Sequence, residues 1–225
     1  MKLIGSELGR VVHLVVTDEV RPERGFDLPT LFKAAAERYQ FTKVPTSLDG
    51  FFQPSGVKFE IGRFSAPGLR GSVPILEMSL FNDGVIAACA DTNLADRLLD
   101  DFFEWAGTAG LLRRPVTARP RTYSSNVVAQ FERLPSDKFE HMFRTTSRFN
   151  DALRIQYGWN FPTSLSRLSF SPDPMQLPQH RSALFTIERR GNVGYNQNYF
   201  WSAAPLPLEL HLGLLEGMED DLVVF

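Results

Sequence analysis

The segment LLRRPVTARPRTYSS, residues 111 to 125, places four arginines and two prolines within the nine positions from 113 to 121. A guanidinium donates from a rigid planar fork that matches the oxygens of phosphate and carboxylate. Arg113, Arg114, Arg119 and Arg121, with Arg144 and Arg148 further along at helical spacing, are therefore the candidate anion- or partner-binding residues. Tyr123, Tyr157, Trp159 and Phe161 are available for stacking on single-stranded nucleic acid. The competing reading is a stiff, solvated joint, because Pro115 and Pro120 bar helix and central strand there.

Other residues with chemical capacity are scattered. His13, His141, His180 and His211 stand far apart, and none sits at metal-ligand spacing. His13 lies inside an apolar strand and reads as a hydrogen-bonded core histidine, whereas His141 and His211 read as helix-surface residues. There is no GxSxG, P-loop or GxGxxG motif, and GNVG at 191 to 194 lies between strand-like runs, where it reads as a hairpin turn. Cys89, in the run VIAACA, has no basic neighbour in sequence to lower its pKa and reads as a small buried thiol. Asp96, Asp100, Asp101 and Glu104 fall on the wet side of an amphipathic helix. The sequence nominates no catalytic residue, no metal ligand and no cofactor site.

Composition narrows the classes. The 225 residues are 43% hydrophobic and 22% charged, enough for one large domain or two small ones with an ample core. One cysteine excludes a disulfide framework and a cysteine-rich zinc site, which fits a reducing cytoplasm. No signal-peptide pattern opens the chain and no apolar run reaches the roughly 18 residues of a membrane helix, so no membrane association is expected. The net charge is −2, yet residues 113 to 190 carry 13 basic against 6 acidic side chains. Five lysines stand against 19 arginines, and the acidic total argues against a dedicated duplex-DNA binder, whose affinity rests on phosphate neutralisation.

The elements that must position these residues follow from periodicity. Residues 11 to 17, VVHLVVT, read as a buried strand. Asp27 then opens a helix with Pro29 in its first turn. VKFEIGRF (57 to 64), with Val57, Phe59 and Ile61 alternating, PILEMSLF (74 to 81) and VIAACA read as strands, the last two joined by an Asp83-Gly84 hairpin signal. A helix capped by Thr92 and Asn93 closes the set. The order then starts again: strand 124 to 132, a helix from Ser136 with Phe139, Met142, Phe143, Phe149 and Leu153 on one face, strands 166 to 171, 183 to 190 and 198 to 203, and a helix from Pro207 with Leu208, Leu212, Leu215 and Met218 in a stripe.

The expected fold is thus α+β, mainly antiparallel, with four helices, and the matching order implies an internal duplication of a βαβββα unit. The repeats are 1 to 112 and 113 to 225, forming two domains or one continuous sheet, with residues 113 to 121 as the linker. The leading functional expectation is a non-enzymatic cytoplasmic binding or assembly protein, a subunit of a homo- or hetero-oligomeric complex. Its terminal Leu222, Val223, Val224 and Phe225 would add to the sheet edge of a partner. An RNA or single-stranded nucleic-acid binder using residues 113 to 190 is the second expectation, and an enzyme with an unrecognised site the third.

Overall fold

A computed structural model describes residues 1–47, 49–53, 56–65, 68, 71–117, 119–132, 144–158, 166–171 and 184–221. It is α+β. Strands β1 (Lys2–Leu14), β2 (Val57–Phe64), β3 (Val73–Phe81), β4 (Gly84–Cys89), β5 (Thr122–Gln130), β6 (Arg167–Phe170), β7 (Phe185–Arg189) and β8 (Tyr199–Ala204) form one antiparallel sheet in the order β2-β3-β4-β1-β5-β8-β7-β6. The helices among the described residues are α1 (Thr17–Val20), α2 (Leu28–Arg38), α3 (Thr92–Thr108), α4 (Arg144–Tyr157) and α5 (Leu208–Asp221). Two compact units divide the chain. One holds residues 7–125 with 206–208, and the other holds 126–205 with 1–6 and 209–225. The linker 113–121 belongs wholly to the first.

In the first unit, α2 begins as its sequence dictates, with the Asp27 carboxylate accepting from Thr30 N at 3.2 Å. Helix α3 is capped one residue earlier than Thr92: Asp91 accepts from Leu94 N at 2.9 Å. Thr92 is fully buried, and its hydroxyl accepts instead from Leu208 N at 2.8 Å. A carboxylate is a full-charge acceptor at the electropositive helix end, which explains why Asp91 takes the cap. The buried face of α3, Ala95, Leu98, Leu99, Phe102 and Ala106, packs into one core with Val11, Phe32, Phe51, Phe59 and Met78. Aromatic rings dominate that core, with Phe32 and Phe59 5.8 Å apart and Phe41 and Phe59 5.2 Å apart. Full burial of each contributes about 1.5–3 kcal/mol.

Strand β1 starts at Lys2, well before the run read from sequence, and ends at Leu14. Just past that end Val15 N bonds Asp83 O at 2.8 Å, one more step in the β1–β4 register, and the Thr17 hydroxyl donates to Asn82 O at 2.8 Å. Both acceptors lie in the β3–β4 hairpin, where Phe81 pairs with Gly84 across Asn82 and Asp83.

Strand β2 departs from the alternation expected of Val57, Phe59 and Ile61. Val57 and Phe59 are buried, Ile61 is 54% exposed, and Gly62 and Phe64 are then buried. Ile61 has φ +56, so the inward side changes by one residue at that point while the pairing with β3 keeps its register from Val57↔Leu80 to Phe64↔Val73. The segment after α2 lies against this kink: Thr42 N bonds Ile61 O, Lys43 pairs with Glu60, and Arg63 N bonds Tyr39 O at 2.7 Å. Phe41 packs over Gly62, where a Cβ would stand 2.5 Å from the ring.

In the second unit, Val127, Val128, Ala129, Phe131, Ile187, Phe200 and Leu215 are buried, and Phe131 meets Phe200 edge-on at 5.2 Å. Strands β7 and β8 pair antiparallel across the turn that holds Gly191 and Gly194, as the glycine-rich signal indicated. Leu215 is fully buried in α5, with Leu208, Leu212 and Met218 partly buried. In α4, Phe149 is 53% exposed and Leu153 is half-buried, so the expected apolar face is incomplete among the described residues; Phe139, Met142 and Phe143 lie outside them.

Candidate arginine groove

Helix α3 ends where Gly110, at φ +71, turns the chain back and Leu111 N and Leu112 N bond Ala106 O. Leu112 is buried, and Arg113 N then bonds Val20 O at 2.9 Å, tying the arginine-rich segment to the end of α1. Opposite lies the α1–α2 connection, turned at Gly25 (φ +82) by its bond to Pro22 O. A groove of about 930 Å³ opens between the two segments. Arg24, Arg113 and Arg114 are exposed around it, Phe26 and Leu111 are half-buried, and Glu23 and Asp27 contribute two carboxylates. Arg113 bonds Glu23 at 3.1 Å and Arg114 bonds Glu104 at 3.4 Å.

Beyond the groove the segment is latched twice. Glu19 accepts from Val116 N, from Thr117 N at 2.9 Å and from the Thr117 hydroxyl. Those bonds, the hydroxyl's first, hold the Glu19 carboxyl below the usual range. Arg119 is exposed. Arg121 is only 19% exposed; it donates Nε–H to His13 Nδ1 at 2.9 Å, Nη1 to Asp96 at 2.7 Å and Nη2 to Asp100 at 2.5 Å. Because Nδ1 accepts, His13 is neutral with its proton on Nε2. Burial first, and the adjacent Arg121 charge second, push its pKa below the ordinary histidine value. The hydrogen-bonded histidine read from the strand pattern thus has an arginine 108 residues away as its donor.

Every acid between 91 and 104 is engaged in the same unit. Asp91 caps α3, Asp96 and Asp100 hold Arg121, Asp101 holds Arg38, and Glu104 meets Arg114. Of the six arginines singled out in sequence, the structure brings Arg113 and Arg114 to one groove and turns Arg121 into a clamp. Arg148 is exposed on α4 in the other unit, where only the backbone of Arg144 is described. Leu222, Val223, Val224 and Phe225 lie outside the described residues, as do His141, His180, Trp159 and Phe161. Arg24 completes the groove, and its only sequence signal was its place in the turn-forming run Pro22 to Gly25.

His211 is not a surface residue: it is fully buried, with Nε2 2.8 Å from Ser202 Oγ. The Ser202 hydroxyl has one proton and gives it to Thr186 O at 2.8 Å, so His211 Nε2–H donates to Ser202. A histidine oriented this way takes no proton from the serine, and burial pushes its pKa down to about 4. Burial likewise pushes the Cys89 thiol up to about 12, far from the thiolate a nucleophile needs. Among the described residues no group of three or more His, Cys, Asp or Glu converges as a metal site would, and no helix is long and apolar enough to cross a membrane. The chain matches no protein-family model and no curated protein.

Proposed function

We propose that the protein is a non-enzymatic cytoplasmic binding or assembly subunit whose arginine groove receives an acidic segment of a protein partner. The observation that carries this reading is the groove itself, where exposed Arg24, Arg113 and Arg114 surround half-buried Phe26 and Leu111. A volume of about 930 Å³ suits a stretch of polypeptide, and the mixture of guanidinium and apolar surface suits one that alternates acidic and apolar side chains. Glu23 and Glu104 occupy the two guanidiniums through exposed pairs, each contributing only about 0–1 kcal/mol, so a partner carboxylate displaces them at little cost. The duplication is a further part of this reading. Within each set of four strands the first lies beside the last, giving β1-β4-β3-β2 and β5-β8-β7-β6, and this shared arrangement supports descent of both from one βαβββα unit.

The test is fluorescence anisotropy with a labelled peptide of alternating glutamate and leucine, and with a labelled single-stranded oligonucleotide of equal charge. Tighter peptide binding that the Arg113→Glu, Arg114→Glu double variant abolishes, with an unchanged melting temperature, is the expected result. Preference for the oligonucleotide, or peptide binding untouched by the double variant, would overturn the proposal.

A further inference from the structure

A second cavity of the first unit, about 170 Å³, lies where the end of α2 meets β2 and α3, away from the residues that line the groove. Arg38, Tyr39, Arg63, Ser65, Ser72 and Asp101 line it. We propose that it is a binding site for one phosphoryl-class oxyanion, held by Arg38 and Arg63 with the hydroxyls of Ser65 and Ser72. The reading is independent of the groove and survives its failure.

Arg38 is fixed in advance. Its Nε and Nη2 donate to Asp101 at 2.8–3.3 Å, the Tyr39 hydroxyl donates to the same carboxylate at 2.7 Å, and the guanidinium carbon stands 5.3 Å from the Trp105 ring centroid and 5.5 Å from that of Tyr39. Asp101 is thereby saturated by donors, and it orients the guanidinium instead of competing for an anion. The Nη1 edge of Arg38 takes no part in that pair and has no hydrogen-bond partner among the described residues. Arg63 is exposed, its backbone anchored on Tyr39 O, and no carboxylate among the described residues pairs with it. Two guanidiniums against one satisfied carboxylate leave an excess positive charge, and the fork geometry of arginine fits tetrahedral oxyanions. The C-terminal carbonyls of α2 would oppose an anion, but those of Ala35, Ala36 and Glu37 already accept from Tyr39, Phe41 and Gln40. At about 170 Å³ the cavity falls below the roughly 300–1,000 Å³ of sites for larger ligands, so it takes a phosphoryl group and not a nucleotide.

Titration of the full chain with inorganic phosphate, followed by calorimetry and by phosphorus NMR, tests the assignment, with acetate as a control and a phosphoserine peptide as a parallel arm. Saturable binding is expected with a Kd of about 1 mM, raised about tenfold by Arg63→Ala and less by Arg63→Lys, while Arg113→Glu with Arg114→Glu leaves it unchanged. Ser72→Ala provides a second variant should Arg63→Ala lose its fold. Tighter binding of the phosphopeptide assigns the site to a modified chain, and equal affinity assigns it to free phosphate. A non-saturating response, equal response to acetate, or phosphate binding unaffected by Arg63→Ala and Ser72→Ala would overturn it.

Discussion

Acidification should weaken the second unit through a single buried imidazole. His211 is fully buried in α5, donates to Ser202, and has a pKa pushed down to about 4 from an ordinary 6.5. Between those two values the unfolded chain holds the proton and the native protein does not, so stability rises with pH across the window. The contribution is complete above about pH 6.5 and is lost as the pH falls to about 4. A difference of 2.5 pH units corresponds to about 3 kcal/mol. Urea midpoints of the wild type and of His211→Gln, measured between pH 7 and pH 4, check this. Glutamine keeps an amide donor for Ser202 and does not titrate, and carboxylates that protonate over the same range affect both proteins, so the difference in slope belongs to His211. Equal losses in the two proteins would show that the buried ring does not govern acid stability.

The kink in β2 gives two opposed outcomes: Gly62→Ala, whose Cβ would meet the Phe41 ring at 2.5 Å and Tyr39 O at 2.9 Å, should cost about 1–3 kcal/mol, whereas Ile61→Gly should raise stability by about 1 kcal/mol by relieving a β-branched residue at φ +56. Thermal melts distinguish them, and a loss in the Ile61 variant contradicts the strain argument. Arg121→Met should cost about 2 kcal/mol by urea denaturation, between the loss of an exposed pair and that of a buried one. Cys89 should resist iodoacetamide in the native protein at pH 8 and react on unfolding, as counted by mass spectrometry.

Elements governed by local rules were legible in the sequence. Helix α2 announces itself through its Asp27 cap and apolar spacing, α3 through its apolar spacing although its cap falls on Asp91, and the β3–β4 and β7–β8 hairpins through their turn residues. What escaped was decided at long range. Ile61 continues an alternation that breaks where residues 39 to 43, distant in sequence, lie against β2. His211 resembles a surface residue on a helical wheel, and the serine that accepts its hydrogen bond is nine residues upstream on a strand. The arginine-rich segment was visible as chemistry, but its use was not: Arg113 and Arg114 find the groove through a bond to Val20, and Arg121 finds its acids 21 and 25 residues back. Arg38 and Arg63 share a cavity where Tyr39 O holds the Arg63 backbone, a contact across 24 residues of sequence.

The three attachments of the linker also define a path for mechanical load. Once the start of β5 is peeled from the sheet, tension along the chain meets Arg121 first, then the bonds of residues 116 and 117 to Glu19, and only then the bond from Arg113 N to Val20 O. The charge-assisted links lie outermost, so they should rupture before the Leu112 side chain is drawn from the core. Stretching in high salt should therefore weaken the exposed step at Glu19 most and the half-buried Arg121 step less, while leaving the last one in place.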